Sequence, residues 1–512
     1  MTAQPPAAPA APAAPAGPAA PTDGGDRLRR LRREFEAAIA PSATSLDGRS
    51  FRFEAPPSMG VQVGGYVQVL AGDRPALGQV LHLDLERRPG PEVALDDYRT
   101  RVDFSVAVGG GDLLAATAPF HDVPLVPAEV EDVAASLPAP DRPRVRLDVG
   151  EMLHAPSVPA MLDAAGFARH TFMCGQSGSG KSYAMGRLLE ELIANTDLRV
   201  VVLDPNSDFV RLTETVHGAD PDAAARWHQL ARGIRVLRSR ANGDDRLRLK
   251  FMDLDPRTRA AVLGLDPLAD REEYGAFLTM VDREARGESM EEILADLFTS
   301  TDPVDVRLAM RIRNLGVMKW GSWQAREPGP GLLSALEGDE WRCLVADLGS
   351  IALPAERAMM TAAILGHLWE RRDDRRPVLV VMDEAHNICP PHPESPLQRL
   401  TTELSVTIAG EGRKYGIYLL VATQRPQKVH DNVLSQCDNL VLMRMASEGD
   451  LDHLTRVVSC APASLAARAL SFRQGEALVA GRIVTHPTHV RIGRRITQEG
   501  GGDVPATWAS PS

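Results

Sequence analysis

The chain has 512 residues, with 57 basic and 68 acidic side chains and a formal net charge of −11 at pH 7. This length predicts about three domains and is ample for a large buried core. The acidic balance argues against a protein that coats nucleic acid with a broad basic face, so any such contact must be local. No apolar run approaches the roughly 18 residues of a membrane-spanning helix, and we expect no membrane partner.

Cysteine usage and the N-terminus bear on the cellular compartment. The five cysteines are odd in number, widely spaced and form no Cys-x-x-Cys pair. This pattern favours reduced thiols over a disulfide framework or a zinc site. The first residues have neither the basic nor the apolar region of a secretory signal. We therefore expect a cytoplasmic protein.

Two short segments lie at the N-terminus, ahead of the predicted domains. Residues 1–25 are rich in alanine and proline and are expected to be a disordered tail. Residues 26–44 contain an amphipathic helix with Leu28, Leu31 and Phe35 on one face and arginines on the other. This arginine-rich face is either solvated or an arm for a neighbouring subunit or for phosphate.

Residues 45–150 consist of short alternating segments between Gly, Pro and Asp turns, for example at 66–70 and 102–108. Period-two strands at such spacing predict a small antiparallel β-barrel. We find no chemical constellation in this region and expect it to serve in assembly or docking.

From residue 151 to about 500, strands alternate with helices, which is typical of a parallel sheet with crossover helices. Continuous apolar runs indicate strands that are buried on both faces. These runs lie at 171–174, 200–203, 343–346, 378–382, 417–421 and 440–443. The polar span at about 210–335 is predicted to be a helical insertion, and residues 501–512 a C-terminal tail.

The strongest motif lies between the first of these strands and a predicted helix. It reads Gly175-Gln176-Ser177-Gly178-Ser179-Gly180-Lys181-Ser182 and is followed by Tyr183. It matches the phosphate-binding loop G-x-x-x-x-G-K-S, in which backbone N–H groups cradle phosphate oxygens at the positive end of a helix. We expect residues 175–183 to bind ATP, with Lys181 on the β- and γ-phosphates and Ser182 on Mg²⁺.

A second motif ends the strand at 378–382 with the acidic pair Asp383 and Glu384, followed by His386. A P-loop sheet requires such a pair beside the phosphates. Asp383 is expected to hold the Mg²⁺ shell, and Glu384 to act as general base on the attacking water. For His386, a coupling role and a locally satisfied polar side chain both stay open.

The strand at 200–203 ends in a third polar segment, Asp204-Pro-Asn206-Ser-Asp208. Acidic groups at the carboxyl end of a strand lie near the ligand crevice of a doubly wound sheet. A role near the metal or the water and a plain Asx turn are therefore both open.

Polar residues also flank the strand at 417–421. Gln424 follows this strand and is placed to sense the γ-phosphate. Arg413 precedes it and is expected at the opposite edge of the sheet, which suits an arginine finger that reaches a neighbouring subunit's ATP. Arg444, which follows the strand at 440–443, is a second candidate for that role.

Together these motifs resemble those of the HerA-type ATPases of the HerA–FtsK superfamily. The similar segments cover about residues 165–495 and include the P-loop, Asp204-Pro-Asn, Asp383–His386, 412–416 and 422–426. The resemblance implies ATP and Mg²⁺ as cofactors, Arg413 as the trans-acting arginine and Gln424 as a sensor. It also implies a hexameric ring that threads duplex DNA and works with a nuclease or another effector protein.

The expected fold class is α/β, with a RecA-like P-loop core of mostly parallel sheet and a helical insertion, preceded by the small antiparallel β-barrel. The expected function is that of an ATP-driven DNA translocase or helicase, in DNA repair or in antiviral defence. Arg399 and Lys428 are candidates for contacts with DNA in the pore. The alternative is an NTP-gated platform that recruits an effector without moving DNA.

Overall fold

The computed structural model describes residues 24–72, 75–95, 98–136, 145–241, 245–323 and 331–501. Nearly all of the two predicted tails, at 1–25 and 501–512, lies outside these ranges. The chain divides into two units. The first unit runs to Pro127 but leaves out Val63–Tyr66. The second unit contains Val63–Tyr66 and the chain from Ala128 onwards.

The described part of the first unit is a small β structure with one α-helix. Its elements are α1 (Gly24–Ala37), β1 (Ser42–Ser45), β2 (Ser50–Ala55), β3 (Tyr66–Val69), β4 (Ala76–Arg88), β5 (Glu92–Leu95), β6 (Tyr98–Arg101), β7 (Phe104–Leu113) and β8 (Phe120–Pro127). Six strands form a closed barrel in the order β1-β2-β7-β4-β3-β8, and β5 pairs with β6. Buried and more exposed side chains alternate along β2, because successive side chains of a strand point to opposite faces.

The amphipathic helix α1 packs on this barrel through its apolar face. The ring of Phe35 lies 6.3 Å from that of Phe104. Next to it, the backbone N–H of Ser105 donates to Glu36 at 3.0 Å. The arginines of α1 are exposed on its other face.

The second unit is built around a sheet of eleven strands. After α2 (Val130–Ser136), its strands are β9 (Arg146–Met152), β10 (Ala155–Asp163), β11 (His170–Cys174), β12 (Arg199–Asp204), β13 (Ile234–Arg238), β14 (Cys343–Asp347), β15 (Val378–Met382), β16 (Ile417–Thr423), β17 (Cys437–Met443), β18 (Glu476–Gly481) and β19 (Thr488–Ile492). Their order is β10-β9-β19-β18-β17-β11-β16-β15-β12-β14-β13. The strands from β17 to β13 are parallel, and the other four continue the sheet in antiparallel pairing.

Each of the six predicted apolar runs is a strand of the parallel part of the sheet. β11, β14 and β15 are buried along their whole length, as expected for strands covered on both faces. The mostly parallel α/β sheet predicted from the sequence is therefore present.

The structure differs from the sequence-based expectation at the margins of this sheet. Residues 146–150, placed in the predicted barrel span, begin β9, which joins the large sheet because it pairs with β19. β13 lies inside the span predicted as a helical insertion. Its five residues form an edge strand too short to show a clear period in the sequence.

The described part of the second unit also contains the α-helices that follow α2. They are α3 (Lys181–Asn195), α4 (Pro221–Leu230), α5 (Pro256–Val262), α6 (Arg271–Ala285), α7 (Met290–Thr299), α8 (Pro303–Leu315), α9 (Leu332–Glu337), α10 (Pro354–Glu370), α11 (Pro396–Glu411), α12 (Asp431–Leu434), α13 (Glu448–Val457) and α14 (Ala463–Ala467). Four of them, α4, α5, α8 and α11, begin at a proline that follows an Asp or Ser whose side chain accepts backbone N–H groups of the first turn. Proline suits the first helical position because the N–H it lacks would have no partner there. Within the described ranges, we find no helix with the length and apolar character needed to cross a membrane.

Candidate functional site

The P-loop joins β11 to α3 and depends on its glycines. β11 ends at Cys174 and α3 begins at Lys181, so the loop occupies the residues between them. Gly178 and Gly180 have φ values of +73° and +91°, in the left-handed region that favours glycine. A Cβ at Gly175 would lie 2.6 Å from the hydroxyl oxygen of Ser179. These three glycines therefore allow a backbone path that other residues would strain or block.

The N-terminus of α3 is open to an anion. Its capping residue, Gly180, provides no side-chain cap. Within the described chain, no hydrogen bond uses the backbone N–H groups of Lys181 or Ser182. Such N–H groups, together with the helix dipole, form a binding site for phosphate.

The Lys181 ammonium is buried between the two carboxylates of the second motif. Its Nζ forms an ion pair with Asp383 Oδ1 and lies 3.4 Å from Glu384 Oε1. This contact arises because β11 and β15 are parallel, so their carboxyl ends meet at one edge of the sheet. Burial disfavours the charged ammonium, but the two carboxylates outweigh this effect and raise the pKa of Lys181.

Glu384 has a left-handed backbone conformation and lies beside a histidine. Its φ of +47° is in the left-handed region, which costs a residue with a side chain about 1–2 kcal/mol. Its Oε2 lies 3.1 Å from His386 Nδ1, which is also 3.1 Å from the hydroxyl of Thr423 at the end of β16. Burial would raise the pKa of Glu384, but His386 and Lys181 outweigh burial, so the pKa is lowered and the carboxylate form is favoured.

The proposed metal ligands, Ser182 and Asp383, fit a magnesium ion. Asp383 is wholly buried, and its Oδ2 has no hydrogen-bond partner among the described residues. The Ser182 hydroxyl donates to Asp208 Oδ2 at 2.7 Å. Within the described ranges, no group of three or more His, Cys, Asp or Glu side chains could hold a metal by itself. This donor set suits Mg²⁺, which usually takes one or two protein carboxylates and completes its shell with phosphate and water.

The polar segment after β12 has two different roles. Asp204 is wholly buried and accepts the backbone N–H groups of Asn206, Asp208 and Phe209 at 3.3, 3.0 and 2.9 Å. Burial raises the pKa of Asp204 to about 7. Asp204 therefore forms the Asx-type turn, whereas Asp208 contacts Ser182 in the site.

The two arginine candidates lie at opposite ends of the parallel strands. Arg413 precedes β16, is exposed and lies 3.3 Å from Asp438. β16 has seven residues, and a strand rises about 3.3 Å per residue, so Arg413 is roughly 20 Å from the P-loop edge. Arg444 follows β17 at the P-loop edge, where its guanidinium donates to the Gly178 carbonyl at 3.2 Å. Arg444 thus contacts the P-loop of its own subunit.

The proposed pore residues are both exposed. Arg399 lies on α11, with its Nη1 3.7 Å from Asp266 Oδ2. Lys428 ends a short 3-10 helix that follows β16.

The P-loop opens into a cleft of about 720 Å³, a size within the usual range for small-molecule sites. Besides residues of the P-loop and Tyr183, the cleft is lined by Asn206, Asp208, Glu384, Gln424, Gln474, Gly475, Ile492, Glu499, Gly500 and Gly501. Gln424 is therefore in the cleft, as its place after β16 predicts. The lining residues after 490 were not predicted, although the run of three glycines at 500–502 is a signal in the sequence for close backbone approach.

Comparisons with known proteins agree with the motifs. Residues 147–306 match the family described as the central domain of helicase HerA. The chain is 23% identical over 406 residues to the DNA double-strand break repair helicase HerA of Pyrococcus furiosus, covering 68% of this chain and 69% of the relative. It is 22% identical over 386 residues to a probable helicase of Methanocaldococcus jannaschii, covering 70% and 69%.

Two solved structures are also similar. VirB4 of Thermoanaerobacter pseudethanolicus is 16% identical, with coverage of 68% of this chain and 96% of that chain and a TM-score of 0.48. The bacterial conjugative coupling protein TrwB is 14% identical, with coverage of 74% and 95% and a TM-score of 0.47. On the sequence comparisons, the resemblance of this chain to the HerA family is confirmed.

Proposed function

We propose that this chain is an ATPase of HerA type that hydrolyses Mg-ATP to move duplex DNA through a ring of identical subunits. The observation that carries this proposal is the buried cluster in which Lys181 contacts both Asp383 and Glu384 beside an open P-loop helix. The curated relatives are named as helicases, and several as DNA double-strand break repair helicases.

Residues in and beside the cleft have different proposed roles in ATP hydrolysis. The P-loop N–H groups and Lys181 bind the phosphates. Ser182 and Asp383 would hold Mg²⁺, which would neutralise charge on the phosphate oxygens. Glu384 accepts a proton from the attacking water, and its lowered pKa keeps the carboxylate ionised at neutral pH. Gln424 contacts the γ-phosphate from the end of β16.

We propose that Arg413 acts on the ATP of a neighbouring subunit. It is too far from its own P-loop to contact its own nucleotide, and its side chain is 48% exposed. A ring built by one repeated head-to-tail contact would place the Arg413 edge of one subunit against the cleft of the next. Such an arginine stabilises the charge that develops on the transferred phosphoryl group. A hexamer is the ring size that the HerA resemblance implies.

A nuclease or another effector protein is the proposed partner, and the pathway would be DNA repair or antiviral defence. This part rests on the HerA resemblance. The barrel and the arginine face of α1 are the proposed surfaces for assembly or docking, because they lie outside the unit that contains the cleft.

The test is the steady-state ATPase rate of the full chain with and without duplex DNA, together with displacement of a third strand from a DNA triplex. We expect stimulation by duplex DNA that weakens as salt is raised, because phosphate contacts are screened. Lys181→Ala should abolish both signals. An ATPase rate indifferent to DNA, with no displacement, would reject the translocase and favour the NTP-gated platform.

A further inference from the structure

The segment after β19 crosses the P-loop helix and reaches the nucleotide cleft. The backbone N–H of Arg495 donates to the Tyr183 hydroxyl on α3 at 2.7 Å. Further on, the N–H of Gln498 donates to the carbonyl of Glu214, and the N–H of Gly500 to that of Asp208, each at 2.9 Å. The segment therefore spans from the end of β19 to the turn after β12.

A buried charge pair fixes this segment to α3. The side chains of Glu190 and Arg495 are 2% and 0% exposed, with Arg495 Nε 3.5 Å from Glu190 Oε1. Glu190 also accepts the N–H of Ile496 at 3.0 Å and the N–H and hydroxyl of Thr497 at 2.7 and 2.6 Å. Arg495 donates to the Gln498 carbonyl at 3.1 Å. Arg187 Nη1 also lies 3.5 Å from Glu190 Oε2, and Glu499 Oε1 lies 3.9 Å from Arg495 Nη1. Removing Glu190 or Arg495 would therefore weaken a charge network that fixes the segment to α3.

The P-loop helix is shaped to receive the guanidinium. Gly186 lies in the middle of α3, where glycine costs about 1 kcal/mol relative to alanine. A Cβ at Gly186 would lie 2.3 Å from Arg495 Cζ. The absence of a side chain at Gly186 thus makes room for Arg495.

The fixed segment presents three residues to the cleft, Glu499, Gly500 and Gly501. A Cβ at Gly500 would lie 1.9 Å from the Ser207 carbonyl oxygen, so the backbone approaches the turn after β12 closely. The phosphate end of the cleft is defined by the P-loop and by Glu384. The three residues border this end, because a Cβ at Gly501 would lie 2.8 Å from Asp208 Oδ1, and Asp208 accepts the Ser182 hydroxyl.

We propose that residues 499–501 form a wall of the cleft that contacts bound ATP, and that Glu190 and Arg495 are positioning residues for this wall. The proposal rests on the proposed ATPase function. It assigns the carboxyl-terminal segment a part in nucleotide affinity, while the hydrolysis step stays with the P-loop and Glu384.

Two truncations of the full chain test residues 499–501 while keeping the Glu190–Arg495 pair. Ending the chain after Gln498 removes the wall and keeps the Glu190–Arg495 pair, and ending it after Gly501 is the matched control. We expect the first truncation to raise the KM for ATP and the Kd for a fluorescent ATP analogue about tenfold, with kcat within about threefold. The control truncation should match the full chain. A Kd equal to that of the full chain after truncation at Gln498 would overturn the proposal.

The anchor is tested by Arg495→Met and Glu190→Gln, with Arg211→Met as the control because it breaks an exposed ion pair with Glu214. We expect the first two variants to raise KM at least as much as the truncation after Gln498 and the control to leave it unchanged. If the anchor variants do not fold, the two truncations alone test the proposed wall. Failure of the full chain to bind the ATP analogue would reject the ATPase itself, whereas equal binding by full and truncated chains would reject only the wall.

Discussion

At the scale of single residues, the candidate site depends on a few buried charges. Lys181 lies between Asp383 and Glu384, so before nucleotide binds the ammonium is neutralised by the side chains proposed to serve the reaction. Bound phosphate would compete for the same ammonium and leave Glu384 beside His386, 3.1 Å away. This arrangement predicts different defects for the lysine and for the glutamate.

Glu384→Gln should bind ATP and fail to hydrolyse it. The amide keeps the shape of the side chain but cannot accept the proton, and general-base catalysis contributes about 10²- to 10⁴-fold to a rate. We expect kcat to fall by that factor while the Kd for the fluorescent ATP analogue stays within about threefold. Lys181→Ala is the contrasting variant and should lose binding. Undiminished turnover by Glu384→Gln would show that another group is the base.

At the scale of elements, the site is made by strand ends and by one helix N-terminus. β11, β15 and β16 are parallel, so the P-loop, the acidic pair and Gln424 all follow the carboxyl ends of neighbouring strands. This juxtaposition could be predicted, because long apolar runs identify strands buried on both faces. β13 and the antiparallel strands from β18 onwards could not, because their pairing depends on contacts that are remote in the chain.

The helix N-terminus should be sensitive to Gly180→Ala. Gly180 has a φ of +91°, and a Cβ in the left-handed region costs about 1–2 kcal/mol. We expect a lower melting temperature and a weaker ATP Kd, because relief of the strain would move the phosphate-binding N–H groups. The matched control is Gly275→Ala on α6, where a Cβ would meet nothing within 4 Å. This control should stabilise the chain by about 0.5–1 kcal/mol with unchanged ATP binding.

At the scale of the whole molecule, the proposed reaction needs two different edges of the ATPase sheet. The cleft lies at the carboxyl ends of the parallel strands, while Arg413 lies near their amino ends and pairs with Asp438. Arg444, the other arginine candidate, contacts Gly178 of its own P-loop. This geometry supports Arg413 as the residue that faces a neighbouring subunit.

Mixing two inactive variants tests the shared site. Lys181→Ala removes the phosphate contact in a subunit's own cleft, and Arg413→Ala removes the contact made to the next cleft. Each variant alone should be inactive. In an equal mixture that assembles at random, about a quarter of the head-to-tail contacts would combine an intact Lys181 with an intact Arg413, and ATPase activity should recover to about that fraction. No recovery, with mixed assembly shown by native mass spectrometry, would place Arg413 outside the shared site.

The sequence by itself determined the local parts of this protein. The P-loop is contiguous with its strand and its helix, so its glycines, Lys181 and Ser182 could be assigned from spacing. The acidic pair at 383–384 could be assigned because it ends a buried apolar strand. These features depend on the backbone geometry of a few consecutive residues, so a sequence motif identifies them directly.

Only the tertiary structure determined which distant residues contact these local motifs. It brings Asp208 to Ser182, turns Arg444 toward its own P-loop, and lays the segment from Arg495 to Gly501 across α3. Each contact joins positions that are distant in the chain and depends on the order of strands in the sheet. Strand order is set by the packing of the whole core, and no local pattern in the sequence specifies it.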